Sequence, residues 1–339
     1  MPVPTWRWRW LLLAGLPLFL VLFLSRQAQA QSCTPYPSPQ TRFGVNVARD
    51  GGRHIDDYTV TPLKAHWYLD YFTQTTPAQP EGMVYAQMIR PPLWKQASFT
   101  TTVESVLANN PGALWIVGNE PDRDKQDGLT PAAYAVFYHD VYTFLKARDA
   151  SARIAIAGVV QSTPIRRRYL DMVLTEYQSR YGTAMPIDVW TMHAFILRED
   201  ELWGAWVPPG LEAYKSEGMK YEVDDHDSLE IFKTNIIAFR QWMAAHGYRD
   251  KPLLVTEYGI LLSPLHGFPY ETVRTFMLGT FDFFLSATDA TTGYPADGNR
   301  LVQAWSWFSL NYPPYDLETE FGHNGNLLEP DTGALLPLG

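Results

Sequence analysis

Two apolar runs in this chain end in a glutamate. The first reads Trp115-Ile116-Val117-Gly118-Asn119-Glu120-Pro121 and the second Leu254-Val255-Thr256-Glu257-Tyr258-Gly259. An ionised carboxylate is costly to bury without a partner, so one that closes a wholly apolar strand is expected to line a cavity. Two carboxylates facing one cleft suit the hydrolysis of a glycosidic bond. One, protonated, donates to the leaving oxygen, while the other, ionised, attacks the sugar carbon. That chemistry requires Glu120 and Glu257 to meet across a gap the size of a sugar ring. The alternative is that both are ordinary loop residues making caps or salt bridges.

The elements around them favour such a meeting. Apolar runs of strand length recur eight times, at 42–47, 65–71, 83–89, 113–118, 153–159, 187–193, 252–257 and 301–307. Several are continuously apolar, the pattern of a parallel sheet covered by helices on its outer face. Helical patterns lie between the later runs. Thr130-Pro131 reads as an N-cap and first helical residue. Asp227 with Glu230 resembles a capping box, ahead of a stripe from Leu229 to Met243 ended by Gly247. Pro269 opens another helix, and 165–181 closes at Gly182. Eight alternating units predict an α/β fold, a (β/α)8 TIM barrel, whose site lies at the C-terminal ends of the strands. Residues 72–82 leave no room for a full helix, so the second βα unit is expected to be degenerate. The last helix is expected to be short or missing, because the chain stops about 30 residues after the last run. A nucleotide-binding fold is disfavoured, since no Gly-x-Gly-x-x-Gly follows the first run.

The same strand-end rule nominates further residues. Asn119 precedes Glu120, His193 ends the sixth run, and Tyr258 follows Glu257. Asn46, Tyr68 and Arg90 are candidate polar lining residues from the first three runs. A long loop from about Leu197 to Asp225 carries Trp203, Trp206 and Tyr214, and the last loop adds Tyr312 and Tyr315. Flat aromatic rings suit the apolar faces of sugars, although each could equally pack its loop onto the barrel. No metal site is expected. Asp122, Asp124 and Asp127 lack the glycine and glutamate of a calcium loop, and a solvated turn with a helix cap accounts for Asp224-Asp225-His226-Asp227. No cofactor motif, His-Glu-x-x-His or Gly-x-Ser-x-Gly is present.

Residues 1–30 read as an export signal: Arg7 and Arg9, an apolar run over 10–24, then Ala28-Gln29-Ala30. An uncleaved run would anchor the protein to a membrane. Residues 31–41 read as a linker and 42–339 as the barrel. The 27 basic and 36 acidic residues leave a net charge of −9. Removing Arg7, Arg9 and Arg26 leaves 24 against 36, or −12, which argues against nucleic acid and is compatible with a neutral glycan. The single cysteine, Cys33, permits no internal disulfide.

Asn119-Glu120-Pro121 and Thr256-Glu257-Tyr258-Gly259, each at the end of its strand, resemble clan A of the glycoside hydrolases. The Trp-Tyr pair of the second run, the helix-poor link to the third and Gly118-Asn119-Glu120-Pro121-Asp122 resemble its glycosyl hydrolase catalytic core group, which includes endo-β-1,3-glucanases. The resemblance implies Glu120 as acid/base, Glu257 as nucleophile and Asn119 as a hydrogen-bond partner of the sugar 2-hydroxyl. It also implies a tryptophan floor on the last strand. One of Trp305 and Trp307 is expected to face the lumen, with Trp305 favoured. The clan's His-x-Tyr reads His193-Ala194-Phe195 here, so either Tyr258 or another residue supplies the hydroxyl beside the nucleophile, or the nucleophile is activated differently.

These readings point to a secreted, monomeric, retaining glycosidase acting without cofactor on a β-linked poly- or oligosaccharide, β-glucan above others. The alternatives are a non-catalytic glycan-binding envelope protein on the same barrel and a transglycosylase.

Overall fold

The computed structural model describes residues 1–2, 38–49, 53–94, 96–200, 203–319 and 321–339. The export signal, its cleavage point, Cys33 and most of the linker lie outside the described residues. Among the described residues, no helix is long and apolar enough to cross a membrane.

Nine parallel strand segments form the wall. They are β1 (Phe43–Asn46), β2 (Trp67–Leu69), β3 (Val84–Tyr85), β4 (Gln87–Ile89), β5 (Leu114–Val117), β6 (Arg153–Ile156), β7 (Trp190–His193), β8 (Leu253–Tyr258) and β9 (Ala304–Trp307). They pair in the orders β3-β2-β1-β9-β8-β7 and β4-β5-β6. β3 and β4 are one barrel strand interrupted at Ala86, whose amide bonds to Tyr68 while that of Met88 bonds to Phe72. A parallel bridge between Ala155 and Val189 joins β6 to the segment leading into β7. The eight expected strands are therefore present, in two sheets that meet at Ala86 and at the Ala155–Val189 bridge.

The helices are α1 (Pro91–Trp94), α2 (Ala97–Asn109), α3 (Pro131–Arg148), α4 (Pro164–Tyr181), α5 (Leu229–Ala245) and α6 (Tyr270–Ser286). Among the described residues no α-helix follows β2, and none follows β9, as the spacing implies. Among the described residues the first unit has no α-helix either, and carries short 3-10 turns at Ile55–Asp57 and Thr61–Leu63. Sequence patterning does not reveal α2. Its first turns are rich in Ser and Thr, poor helix formers, and burial of Val103, Val106 and Leu107 holds it in place. Thr130 caps α3 as expected, accepting from the Ala133 amide. The cap of α5 is Ser228, which accepts from Ile231, rather than Asp227. His226 is no solvated turn residue. It is buried, and it ties Ile196 to Leu261 through its two ring nitrogens.

Alternate strand residues build two separate layers. Trp67, Leu69, Ala86, Met88, Leu114, Ile116, Ala155, Leu254 and Ala304 cluster together and fill the lumen. Their neighbours, including Trp115, Ile154, Trp190, Val255, Trp305 and Trp307, join the larger core beneath the helices. A parallel barrel filled in this way leaves its open chemistry to the strand ends.

Candidate active site

β5 and β8 deliver their glutamates by different means. Beyond Val117 the chain turns through Gly118 at φ +96° and Glu120 at φ +41°. The left-handed region is unfavourable for a side-chain-bearing residue and is held only where its surroundings enforce it. Here the Glu120 amide donates to Gly158 O at 3.1 Å, and the Asn119 amide to Asp127 Oδ2 at 2.6 Å. Asp127 is in turn ion-paired to Arg90. In β8 simple alternation would put Glu257 on the outer face with Val255. The pairing instead slips by one residue between Val255 and Tyr258, a bulge that leaves Tyr258 outside and turns Glu257 inward.

The two carboxylates meet. One oxygen of each and a ring nitrogen of His193 lie within 4.8 Å of one another. His193 Nδ1 is 2.9 Å from Glu120 Oε1 and 3.5 Å from Glu257 Oε2. Arg123 Nη1 approaches the other Glu120 oxygen at 3.3 Å. Gly158 lies flat beneath the imidazole, where an added Cβ would fall 2.5 Å from His193 Cδ2. All three groups are buried. Two carboxylates and one imidazole at this spacing could also enclose a divalent cation. The imidazole already stands between both oxygens and can itself carry the positive charge there.

Burial pushes Glu257 up to about 7, with His193 opposing and the Glu120 charge adding to the rise. Burial would raise Glu120 too, but the His193 hydrogen bond and charge, with Arg123, outweigh it and hold Glu120 below its ordinary value. His193 is disfavoured as a cation by burial, yet Glu257 and Glu120 hold it above the ordinary histidine range. Below about pH 7 the glutamate pair therefore keeps one proton between two carboxylates.

A pocket of about 260 Å³ opens over the pair. Its lining includes Asn119 and Arg90, together with Tyr71, Phe195, Phe308 and Tyr312. Asn119 lines this pocket, and its buried side-chain oxygen accepts no hydrogen bond. A larger cavity of about 660 Å³ lies between α1 and α3 and holds neither glutamate. Volume alone does not mark the chemistry.

Several nominated residues stand elsewhere. Asn46 is fully buried, donating to Thr256 O at 3.0 Å and accepting from Ser306, so it ties β1 to the last two strands. Tyr68 points outward, its hydroxyl on Ala78 O at 2.6 Å. Tyr258 is buried among Phe232, Phe284 and Trp307, away from the pocket. Trp305 faces the helices as well, stacked on Phe284 at 5.0 Å. Trp305 and Trp307 are two residues apart and so share a face of β9. Both lie outside, and Ser306 between them faces in. The pocket wall at this strand is Phe308. Trp203 and Trp206 line an adjoining pocket rather than the catalytic one.

Tyr71 is a pocket residue that the sequence reading does not nominate. It is the last residue of the second apolar run, where the strand-end rule points, although the polar candidate from that run is Tyr68. The Tyr71 hydroxyl is buried beside Glu257, and burial, then the charge and hydrogen bonding of Glu257, raise its pKa. It occupies the place expected of the hydroxyl beside Glu257, and its φ of +68° turns it there.

No family model matches the chain, and no curated protein matches its sequence. Solved structures do. A curdlan-specific exo-β-1,3-glucanase of glycoside hydrolase family 128 (subgroup III) from Blastomyces gilchristii, in complex with glucose, superposes with a TM-score of 0.54 at 17% identity, over 88% of this chain and 95% of that one. An exo-β-1,3-glucanase of the same family (subgroup VI) from Aureobasidium namibiae gives 0.55 at 13% identity, over 89% and 95%. An endo-β-1,3-glucanase (subgroup II) from Sorangium cellulosum gives 0.53 at 15%, over 88% and 95%. This chain has the (β/α)8 barrel fold of those glycoside hydrolases.

Proposed function

We propose that the protein is a secreted retaining glycoside hydrolase that cleaves a β-linked glucan, with β-1,3-glucan first among candidates. The observation that carries this reading is the meeting of Glu120 and Glu257 within 4.8 Å, in a buried pocket lined by aromatic rings. Retaining enzymes hold their carboxyl groups about 5–5.5 Å apart, too close to admit a water between nucleophile and sugar. Glu257 then attacks the anomeric carbon, and Glu120 gives its proton to the leaving oxygen and later takes one from water. In the free site burial favours the proton on Glu257 while His193 and Arg123 favour an ionised Glu120, the reverse of these roles. The total is nevertheless right: one proton on two carboxylates. A glycosidic oxygen arriving at Glu120 favours the proton there, and positive charge developing at the sugar carbon favours an ionised Glu257.

Digestion of a glycan panel with product sizing tests the reading. Short products from β-1,3-glucan are expected, with kcat/KM falling above about pH 7 as the pair loses its proton. The clamp of His193 and Arg123 on both Glu120 oxygens favours a second reading, glycan binding without cleavage. Tight binding with no product from any member of the panel would establish that one instead. A transglycosylase would give products longer than the substrate.

A further inference from the structure

A second pocket of about 370 Å³ adjoins the catalytic one and shares Arg123, Leu261 and His323 with it. It is framed by Trp203, Trp206 and Tyr315, and Lys125 and His266 stand at its edge. Among the described residues its lining contains no carboxylate, in a chain with nine more acidic than basic side chains. Lys125 makes no ion pair with a described residue. Its ammonium sits 5.3 Å from the centre of the Trp206 ring. Trp206 is 39% exposed, and its backbone is held at φ +60°. Buried Arg166 enforces that conformation by donating to the carbonyls of Ala205 and Trp206. A large exposed ring on a strained backbone is a costly arrangement for a loop that only covers a barrel, and no carboxylate among the described residues pairs with the lysine above it. A partly exposed ring with a cation over it suits a pyranose carrying a negative group: the sugar meets the exposed part of the ring while its anion meets the cation.

We infer that this pocket is a subsite for a carboxylate-bearing sugar, a uronic acid residue next to the unit at the cleavage point. The inference rests on the hydrolase reading and narrows its substrate from a neutral β-glucan to one carrying acidic residues. Lys125 supplies the attraction, and Trp206 the surface that the sugar meets.

The test compares β-1,3-gluco-oligosaccharides with the same oligosaccharides partly oxidised at C6 to carboxylates. Wild-type protein is expected to favour the oxidised set in kcat/KM by about fivefold at low salt, with the preference shrinking as salt rises. Lys125→Glu is expected to reverse the ratio, and Lys125→Met to bring it near one. Equal rates on both sets in wild type, or a ratio unmoved by Lys125→Glu, would overturn the inference while leaving the hydrolase reading intact. Calorimetric binding to the Glu257→Gln protein covers the case in which neither set is cleaved. Tighter binding of the oxidised set that Lys125→Glu abolishes would support the subsite although the hydrolase reading had failed, and equal binding would overturn it.

Discussion

Glu257→Gln should lower turnover by at least about 10⁴-fold while leaving the fold unchanged. The side chain keeps its shape and its place beside Tyr71 and His193, but an amide cannot form the glycosyl intermediate. Stability should move the other way. The Glu257 pKa in the fold, about 7, lies above the ordinary carboxylate value of 4.5. Wild-type stability arising from this group is complete below 4.5 and is lost as pH rises through 7, where the charge is forced into a buried site. Glutamine carries no charge, so the variant should melt higher than wild type at pH 8 and equally at pH 4. Near-normal turnover by the variant on the true substrate would remove Glu257 from the mechanism. Thermal melts that shift equally at both pH values would show that its burial is not what raises its pKa.

The second large effect concerns Arg166, which never touches the pocket. It is fully buried, with Nη1 2.8 Å from Asp122 Oδ2 and Nε 2.9 Å from Glu199 Oε1. Asp122 also accepts from the Val160 amide, and Glu199 from the Thr163 hydroxyl and the Met219 amide. The network joins the turn that carries Glu120 to the loop that carries Trp206. Removing one partner from a buried ion pair strands the other, which costs about 3–5 kcal/mol. Arg166→Met should therefore lose about that much in urea unfolding. Replacing all three together, with Asp122→Leu and Glu199→Leu added, should recover most of it, because no buried charge is left alone. A loss under about 1 kcal/mol for Arg166→Met would show that water reaches the network.

The wall of the barrel is legible in the sequence because the strands are short, mostly apolar runs, several of them unbroken such as Leu114–Val117, and burial on both faces leaves such runs few alternatives. The two glutamates are legible for the related reason that a carboxylate closing such a run has nowhere inexpensive to go. Features set by strand pairing are not legible. The slip in β8 that turns Glu257 inward depends on the partner strands and leaves no local trace. The expectation for Trp305 fails on the pleat: residues two apart share a face, so Trp305 and Trp307 go together, and Phe308 rather than either tryptophan meets the pocket. Tyr71 stands where the strand-end rule points, yet a tyrosine there looks no different from one capping a hydrophobic strand. In the sequence His193 is only the end of a strand. Its position between two carboxylates arises from the packing of β5, β7 and β8.

The most direct test of the two-glutamate account is the stereochemistry of the first product. Proton NMR of a β-1,3-gluco-oligosaccharide digest, recorded before the new reducing end mutarotates, should show the β-anomer accumulating first, as double displacement through Glu257 requires. Initial release of the α-anomer would contradict it, since a single displacement by water needs carboxyl groups about 6.5–9.5 Å apart.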